Sequence, residues 1–335
     1  MKALVTGATG FVGSNLVEEL VTYGFDVRVL MRESSSPRNL KGFPFETVYG
    51  DVTDSESLQH AARGVDYVFH LAGVIASPDR EGFFKANADG TRHLAEAVAA
   101  ACSTLKRFVY VSSLAAGGPV TSLNPRTEGQ KDAPVSAYGE SKRAGEEALL
   151  KYKDRFPISI IRPPVVYGPK DQATFVLVQT IARNIMPLIK GRTHDGSKYY
   201  SLVHVKDLCR GIIQAAVVGV DKVPSGEVFY VCADQYVSYE EWFGAIAECL
   251  NRDPVRIRIP FAVVRAAAMG MNIFGKIVPL RFPLTQDKLN ELTPDYWICT
   301  NQKARRLLGF EPEYDLSKGM ANAISWYKKN QWIAD

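Results

Sequence analysis

Short runs of apolar, β-prone residues recur along the first half of the chain, separated by segments whose apolar positions fall three or four apart. The runs cover Lys2 to Thr6, Asp26 to Met31, Phe45 to Tyr49, Asp66 to Leu71, Arg107 to Ser112 and Ile158 to Ile161. They read as strands, and their nearly unbroken apolar character predicts burial on both faces. Helical spacing marks Ser14 to Tyr23, Ser55 to Ala62, Phe83 to Ala101, Ala137 to Lys153 and Phe175 to Ile189. Alternation of this kind predicts an α/β protein built on a doubly wound parallel sheet with right-handed crossovers.

Beyond about residue 168 the pattern loosens. Pro169, Pro187, Gly191 and Gly196 punctuate a loop-rich stretch. Helices are expected at Val205 to Val218, Tyr239 to Leu250, Ala304 to Leu308 and Leu316 to Lys329, with a late strand at Val228 to Val231. This division predicts a nucleotide-binding unit over residues 1–167, rejoined by a segment at about 198–235. Residues 168–197 and 236–335 would then form a smaller, mostly helical substrate lobe. The mixed loop Thr121 to Pro134 reads as a mobile surface connection or lid hinge.

Composition narrows the class without naming it. A length of 335 residues permits a large core and an added lobe. The net charge of +4 is spread without a basic block and gives no footing for nucleic acid. The five cysteines have neither disulfide-framework nor metal-ligand spacing, so no metal is expected. Met1 leads straight into the first strand, so the expected location is the reducing cytoplasm. No run of about 20 uncharged apolar residues suggests a membrane span. The most lipophilic stretch, Phe261 to Leu280, contains Arg265 and Lys276. It reads as a buried or cleft-lining helix, with interfacial membrane contact the lesser reading.

Chemistry enters with the glycines. Gly7-Ala8-Thr9-Gly10-Phe11-Val12-Gly13 lies between the first strand and the first helix. Glycine there permits a tight turn and close backbone approach to a pyrophosphate, and the helix N-terminus offers unpaired N–H groups. With this turn the expected sheet is of the Rossmann type. Tyr138 and Lys142 stand four apart on a helical segment, hence on one face about 6 Å apart. An ammonium beside a phenol favours the phenolate, so the tyrosine would trade a proton nearer neutrality than its ordinary value of about 10 allows. Ser113, just past a strand, would hold the substrate oxygen. Together they make a general acid/base for interconverting a carbinol and a carbonyl.

These motifs, in order with Gly50-Asp51-Val52, His70-Leu71-Ala72-Gly73, Asn87 with Gly90-Thr91, Arg162-Pro163 through Pro169 and Val203-His204-Val205-Lys206-Asp207, resemble the extended short-chain dehydrogenase/reductase family, including its NAD-dependent epimerase/dehydratase group. The resemblance spans nearly the whole chain. It implies that Gly7, Gly10 and Gly13 cradle a pyrophosphate, that Thr9, Phe11 and Val12 contact the cofactor, and that Asp51 and Val52 hold an adenine. Leu71, Ala72, Gly73 and Asn87 would lie along the cofactor. Lys142 would bind the nicotinamide ribose while lowering the tyrosine pKa, and Pro163 and Val165 would lie near the nicotinamide. Members of the family often dimerise through helices that correspond here to Phe83–Ala101 and Ala137–Lys153. His70 and His204 are expected to be structural imidazoles.

Several positions narrow the chemistry. The second strand ends in Arg32, where an acid would select NAD; a guanidinium suits a 2′-phosphate, so NADP is favoured and NAD remains an alternative. The Asp-Glu pair that drives elimination in the family's sugar dehydratases is here Leu114 and Ala115. An asparagine and an arginine that hold the diphosphate in nucleotide-sugar members are here Val165 and Tyr200, with Lys198 able to compensate in part. The lobe carries Phe261, Val263, Val264, Met269, Met271, Phe274, Leu280 and Phe282, suited to a hydroxysteroid- or dihydroflavonol-like substrate. The sequence therefore reads as an NAD(P)-dependent oxidoreductase with Tyr138 as acid/base. The alternatives are a nucleotide-sugar 4-epimerase with tightly held NAD and a non-catalytic NADP sensor.

Overall fold

The computed structural model describes residues 1–274 and 285–333. Leu280 and Phe282, and the side chains of Met269, Met271 and Phe274, lie outside what is described. The strands are β1 (Lys2–Thr6), β2 (Asp26–Met31), β3 (Glu46–Tyr49), β4 (Tyr67–His70), β5 (Arg107–Val111), β6 (Ile158–Arg162), β7 (Val165–Tyr167), β8 (Ile185–Ile189), β9 (Tyr199–His204), β10 (Glu227–Tyr230), β11 (Tyr236–Ser238), β12 (Val255–Ile259) and β13 (Tyr296–Trp297).

Seven of them form one sheet in the order β10-β6-β5-β4-β1-β2-β3. Every neighbouring pair is parallel. This is the Rossmann-type arrangement expected from the alternation. Helices Phe11–Thr22 and Val205–Val217 contribute to the core on one face of the sheet. Helices Ser55–Ala62 and Gly90–Ala101 contribute to the core on the other. The winding reverses between β1 and β4, which opens a crevice beyond their carboxyl ends.

A smaller sheet centres on β9, which pairs with β7, β11 and β13. Its aromatic-rich surroundings form a separate core with helices Gln172–Ala182, Tyr239–Cys249 and Leu316–Lys329. β8 and β12 form a two-stranded parallel pair.

The structure corrects three expectations. The helix read from Phe175 to Ile189 runs from Gln172 to Ala182, and residues 185–189 are strand β8. Asn184 takes a left-handed φ of 59°, and Pro187 has no N–H for a helical bond. In a two-stranded pair, Pro187 is tolerated. The helix read from Phe83 starts earlier, at Arg80, because Asp79 accepts from the Gly82 N–H. It passes through a π-helical turn at Lys85–Asp89 before continuing as Gly90–Ala101. The loop Thr121 to Pro134 is not a free connection. Val120 and Arg126 make backbone bonds to Tyr296 and Ile298, and Ala133 bonds Gly117. Asp132 accepts from both terminal nitrogens of buried Arg162 at 2.7 and 2.8 Å.

Candidate active site

The exits of β1, β4, β5 and β6 converge on the crevice. β1 runs into Gly7, whose φ is +71°. A Cβ there would lie 2.7 Å from the Ala72 nitrogen, so glycine lets the exit of β1 lie against the exit of β4. Gly10 is the N-cap of helix Phe11–Thr22 and no side chain caps it, which leaves the first-turn N–H groups at Phe11 and Val12 for an anion. Thr9 is tied down through its carbonyl, which accepts from Asn39 Nδ2 at 3.2 Å.

At the other end of the crevice, Arg32 follows β2 with its side chain 66% exposed. It stands 4.0 Å from one oxygen of Asp51. The other oxygen of Asp51 accepts from Thr53 N and Oγ1, both at 2.9 Å. Val52 is buried in the core below. Leu71 N donates to Thr6 O, and Ala72 N to Thr6 Oγ1. Asn87 projects from the π-helical turn and is used at both ends of its amide. Its oxygen accepts from Val74 N at 2.8 Å, and its nitrogen donates to Val74 O and Ser141 Oγ. Asn87 therefore clamps the strand exit that carries Gly73 to the helix that carries Lys142.

Ser113 caps the short helix Leu114–Gly117, its oxygen accepting from Ala115 N at 3.1 Å. That bond leaves the hydroxyl proton free to be donated elsewhere. Ser113 and Tyr138 are brought together, and the nearby serine hydroxyl favours the phenolate. Burial outweighs it and pushes the Tyr138 pKa up to about 12. Lys142 lies a turn further along helix Ala137–Leu150. It donates to Val111 O at 2.8 Å and sits 4.3 Å above the Tyr110 ring. Burial pulls its pKa down to about 7, against the pull of Glu146. The expectation that Lys142 lowers the tyrosine pKa is thus not met in this geometry: the ammonium is engaged by Val111 and Tyr110, and burial dominates both groups.

Beyond β6, Pro163 is buried and its carbonyl accepts from Leu114 N. Val165 pairs with Leu202 across β7 and β9. Tyr200 is buried and stacks on Tyr239 at 4.6 Å. Lys198 does not compensate for the missing arginine. Its ammonium is buried and donates to Leu292, Thr293 and Pro294 carbonyls and to Asp295. Both histidines sit in packed interiors. His70 bonds Thr6 and Thr91, and His204 stacks on Tyr314 at 3.9 Å. Burial holds both near 3, so both are neutral.

A model of the NAD dependent epimerase/dehydratase family matches residues 3–232. The chain belongs to this family. It is accordingly an enzyme of the extended short-chain dehydrogenase/reductase type. Among its relatives, a ceramide reductase of Caulobacter vibrioides is 30% identical over 98% of this chain and 95% of that protein. A 3 beta-hydroxysteroid dehydrogenase/Delta 5→4-isomerase of Mycobacterium tuberculosis is 28% identical over 97% of this chain and 90% of that protein. The structure of a dTDP-glucose 4,6-dehydratase from Streptomyces venezuelae with NAD bound matches with a TM-score of 0.79 at 23% identity, over 99% of this chain and 98% of that one. That likeness is one of fold.

The residues around the crevice fit the dinucleotide that gives the family its name. The turn at Gly7 has no room for a side chain, the helix behind it has no side-chain cap, and Arg32 presents an exposed fork at the far end. Two features escaped sequence reasoning. Helix Gln286–Leu292 from the C-terminal region docks on the start of the Tyr138 helix. Asp287 accepts from Ala137 N at 2.5 Å, Ser136 Oγ donates to Glu291, and Lys288 lies 5.6 Å from the Tyr138 ring. The second is a buried ion network behind Lys142. Glu146 accepts from Ser112 at 2.5 Å and from Arg162 at 2.9 and 2.6 Å. The spacing of Tyr138, Lys142 and Glu146 signals this second feature, since it continues one helix face inward. No local pattern signals the first.

Among the described residues no helix is long and apolar enough to cross a membrane.

Proposed function

We propose that this protein is an NADP(H)-dependent oxidoreductase that interconverts a carbinol and a ketone on a large apolar substrate. The observation that carries the reading is the meeting of Ser113 and Tyr138 beside buried Lys142, with Leu114 and Ala115 following the serine. Those two buried, non-ionisable residues supply no acid or base for water elimination. When bound, the dinucleotide supplies the hydride chemistry; the glycine turn, Asp51 and Arg32 would hold it. Ser113 donates its free proton to the substrate oxygen and orients it. Tyr138 is protonated at neutrality and gives its proton to that oxygen on reduction; in the reverse direction it must first lose that proton, and its phenolate then takes the carbinol proton as hydride leaves for the oxidised dinucleotide. Lys142 is fixed by Val111 and positions the ribose end. In this reading residues 1–167 with 198–235 hold the dinucleotide, and residues 168–197 with 236–335 hold the substrate.

Tyr200 and Lys198 support an apolar substrate over a nucleotide sugar. Neither presents a cation to a diphosphate, and a phosphate ligand depends on such a fork. The aromatic stack of Tyr200, Tyr239 and Phe243 adjoins a groove of about 490 Å³ lined by Leu177, Pro187, Trp242 and Val264. The relatives named for ceramide and 3 beta-hydroxysteroids point the same way. The test is NADPH oxidation against a panel of sphingoid, steroid and flavonoid ketones, with UDP- and dTDP-sugars as the contrast. Turnover of a large apolar ketone is expected; turnover of the nucleotide sugars alone would overturn the reading. Arg32→Asp is expected to move preference from NADP(H) to NAD(H) by roughly tenfold or more, since charge-assisted bonds to a phosphate are worth about 1.5–3 kcal/mol. An unchanged preference would remove Arg32 from the 2′-phosphate.

A further inference from the structure

Helix Gln286–Leu292 has two sides. Gln286, Leu289 and Asn290 line a hollow shared with Lys190 and Arg265. Asp287, Lys288 and Glu291, within one turn of each other, meet the Tyr138 helix instead. Asp287 and Glu291 are enough to dock it. Asp287 accepts from the N–H groups of Ala137 and Tyr138, and Glu291 accepts from Ser136 Oγ at 2.9 Å. Lys288 adds nothing to that joint, yet its ammonium stands 5.6 Å from the centre of the Tyr138 ring.

Lys288 is also unlike a structural lysine. Lys198, at the end of the same helix, is 1% exposed and donates to the carbonyls of Leu292, Thr293 and Pro294 and to Asp295. Among the described residues Lys288 Nζ has one partner, Glu291 Oε2 at 2.7 Å, and its side chain is 37% exposed. An ammonium carries three donors, so the others are open to a ligand. The remaining company of Tyr138 is apolar or engaged. Phe83 lies ring to ring at 6.2 Å, Leu114 and Ala115 belong to the core on which Tyr138 packs, and Lys142 is held by Val111 O.

Charge decides what Lys288 can receive. Glu291 neutralises it at contact distance. After burial, the charge of Glu291 is the next influence that raises the Tyr138 pKa, so this carboxylate is felt within the site. A carboxylate or phosphate brought to Lys288 would be repelled by Glu291. Bare hydrocarbon would cover the ammonium and strip its open donors of water without replacing it, which is costly. A neutral oxygen accepts from the ammonium and meets neither objection.

We propose that Lys288 is a specificity-determining residue that donates to a neutral hydroxyl or carbonyl oxygen standing two or three bonds from the reacting carbonyl carbon of an otherwise apolar substrate. Atoms so connected lie roughly 2.5–4 Å apart. With a hydrogen bond of about 2.8 Å at each end, such a head fits between the Tyr138 hydroxyl and an ammonium beside its ring. The inference rests on the carbinol–ketone reading above and narrows it. Ketones flanked only by hydrocarbon, such as 3-oxosteroids, fall outside.

The test crosses matched ketones with variants of the full chain. 1-Hydroxyoctadecan-3-one and octadecan-3-one differ only in the hydroxyl, and kcat/KM for each is measured in mixed micelles with NADPH and with NADH. The native protein is expected to prefer the hydroxyketone. Lys288→Met is expected to lower that preference about 10- to 100-fold, the scale of a hydrogen bond from a charged donor, whereas Lys288→Arg keeps most of it. Melting and dinucleotide titration check that both variants are folded. A merely structural Lys288 would lower both rates together, so an unchanged ratio in Lys288→Met would overturn the proposal. So would a preference for 3-oxo-octadecanoate, which places a carboxylate where the hydroxyl stands. Reduction of octadecan-3-one or 3-oxosteroids alone would overturn the role of Lys288 and leave the oxidoreductase reading standing. Reduction of no ketone would overturn that reading, and the role of Lys288 with it.

Discussion

In the proposed reaction Tyr138 carries the proton, and burial decides in which form it waits. A phenol held near 12 is protonated throughout the neutral range, so it stands ready as an acid toward a carbonyl oxygen. Tyr138→Phe is expected to lower turnover by about 10²–10⁴-fold with dinucleotide affinity unchanged; turnover near the native rate would contradict the assignment. Lys142 makes a separate prediction. The unfolded chain keeps that proton up to about 10.5, whereas the folded chain releases it near 7. Between those values the unfolded state binds more protons, so stability rises with pH across the window. Lys142→Met removes a charge that is costly to bury, and is expected to raise stability below about pH 7 by a few kcal/mol. The gain should shrink as pH approaches 10.5. Melting curves of the dinucleotide-free protein check it, and a gain equal at both ends of the window would refute the burial argument. The identity of this pair was legible in its four-residue spacing. Its electrostatics were not, because desolvation depends on what covers Lys142, and nothing in Tyr138-Gly139-Glu140-Ser141-Lys142 tells of Val111 or Tyr110.

Elements hold these residues through bonds at their ends and a network at their back. Arg162, at the end of β6, serves Glu146 on one side and Asp132 on the other. Arg162→Met would leave buried Glu146 without its paired cation and Asp132 with Arg126 alone, at 3.5 Å, and is expected to cost about 3–5 kcal/mol. Adding Glu146→Leu and Asp132→Asn should recover most of that loss in denaturant titration; no recovery would mean the network is not what Arg162 supplies. The parallel strands and most helices were readable from apolar period alone, with Asp26–Met31, Ser55–Ala62 and Leu316–Lys329 matching their expected bounds. Phe175 to Ile189 was misread because its apolar residues suit either period. The breaking signal lay in Asn184 and Pro187, which outweigh periodicity. The loop Thr121 to Pro134 was misread for another reason: its anchors, Arg162 and residues 296–298, are remote in sequence.

At the scale of the whole molecule, the C-terminal region lies against the start of the Tyr138 helix. Asp287 meets the N–H groups of Ala137 and Tyr138, placing a carboxylate at the positive end of the helix. Asp287→Asn is expected to lower turnover about two- to fivefold, as loss of roughly 0.3–1 kcal/mol there implies, while dinucleotide titration stays unchanged. A matched loss of dinucleotide affinity would show that the contact supports the fold in general. The same contact joins residues about 150 positions apart, which bears on how the protein is made. A chain leaving the ribosome presents its N-terminal strands first. The glycine turn and its neighbouring strands need only the first quarter of the sequence. Tyr138 must wait for Asp287 to be translated before its helix has its final cap. A nascent chain would thus acquire the glycine turn proposed to cradle the dinucleotide early, and the capped Tyr138 helix only near the end of synthesis.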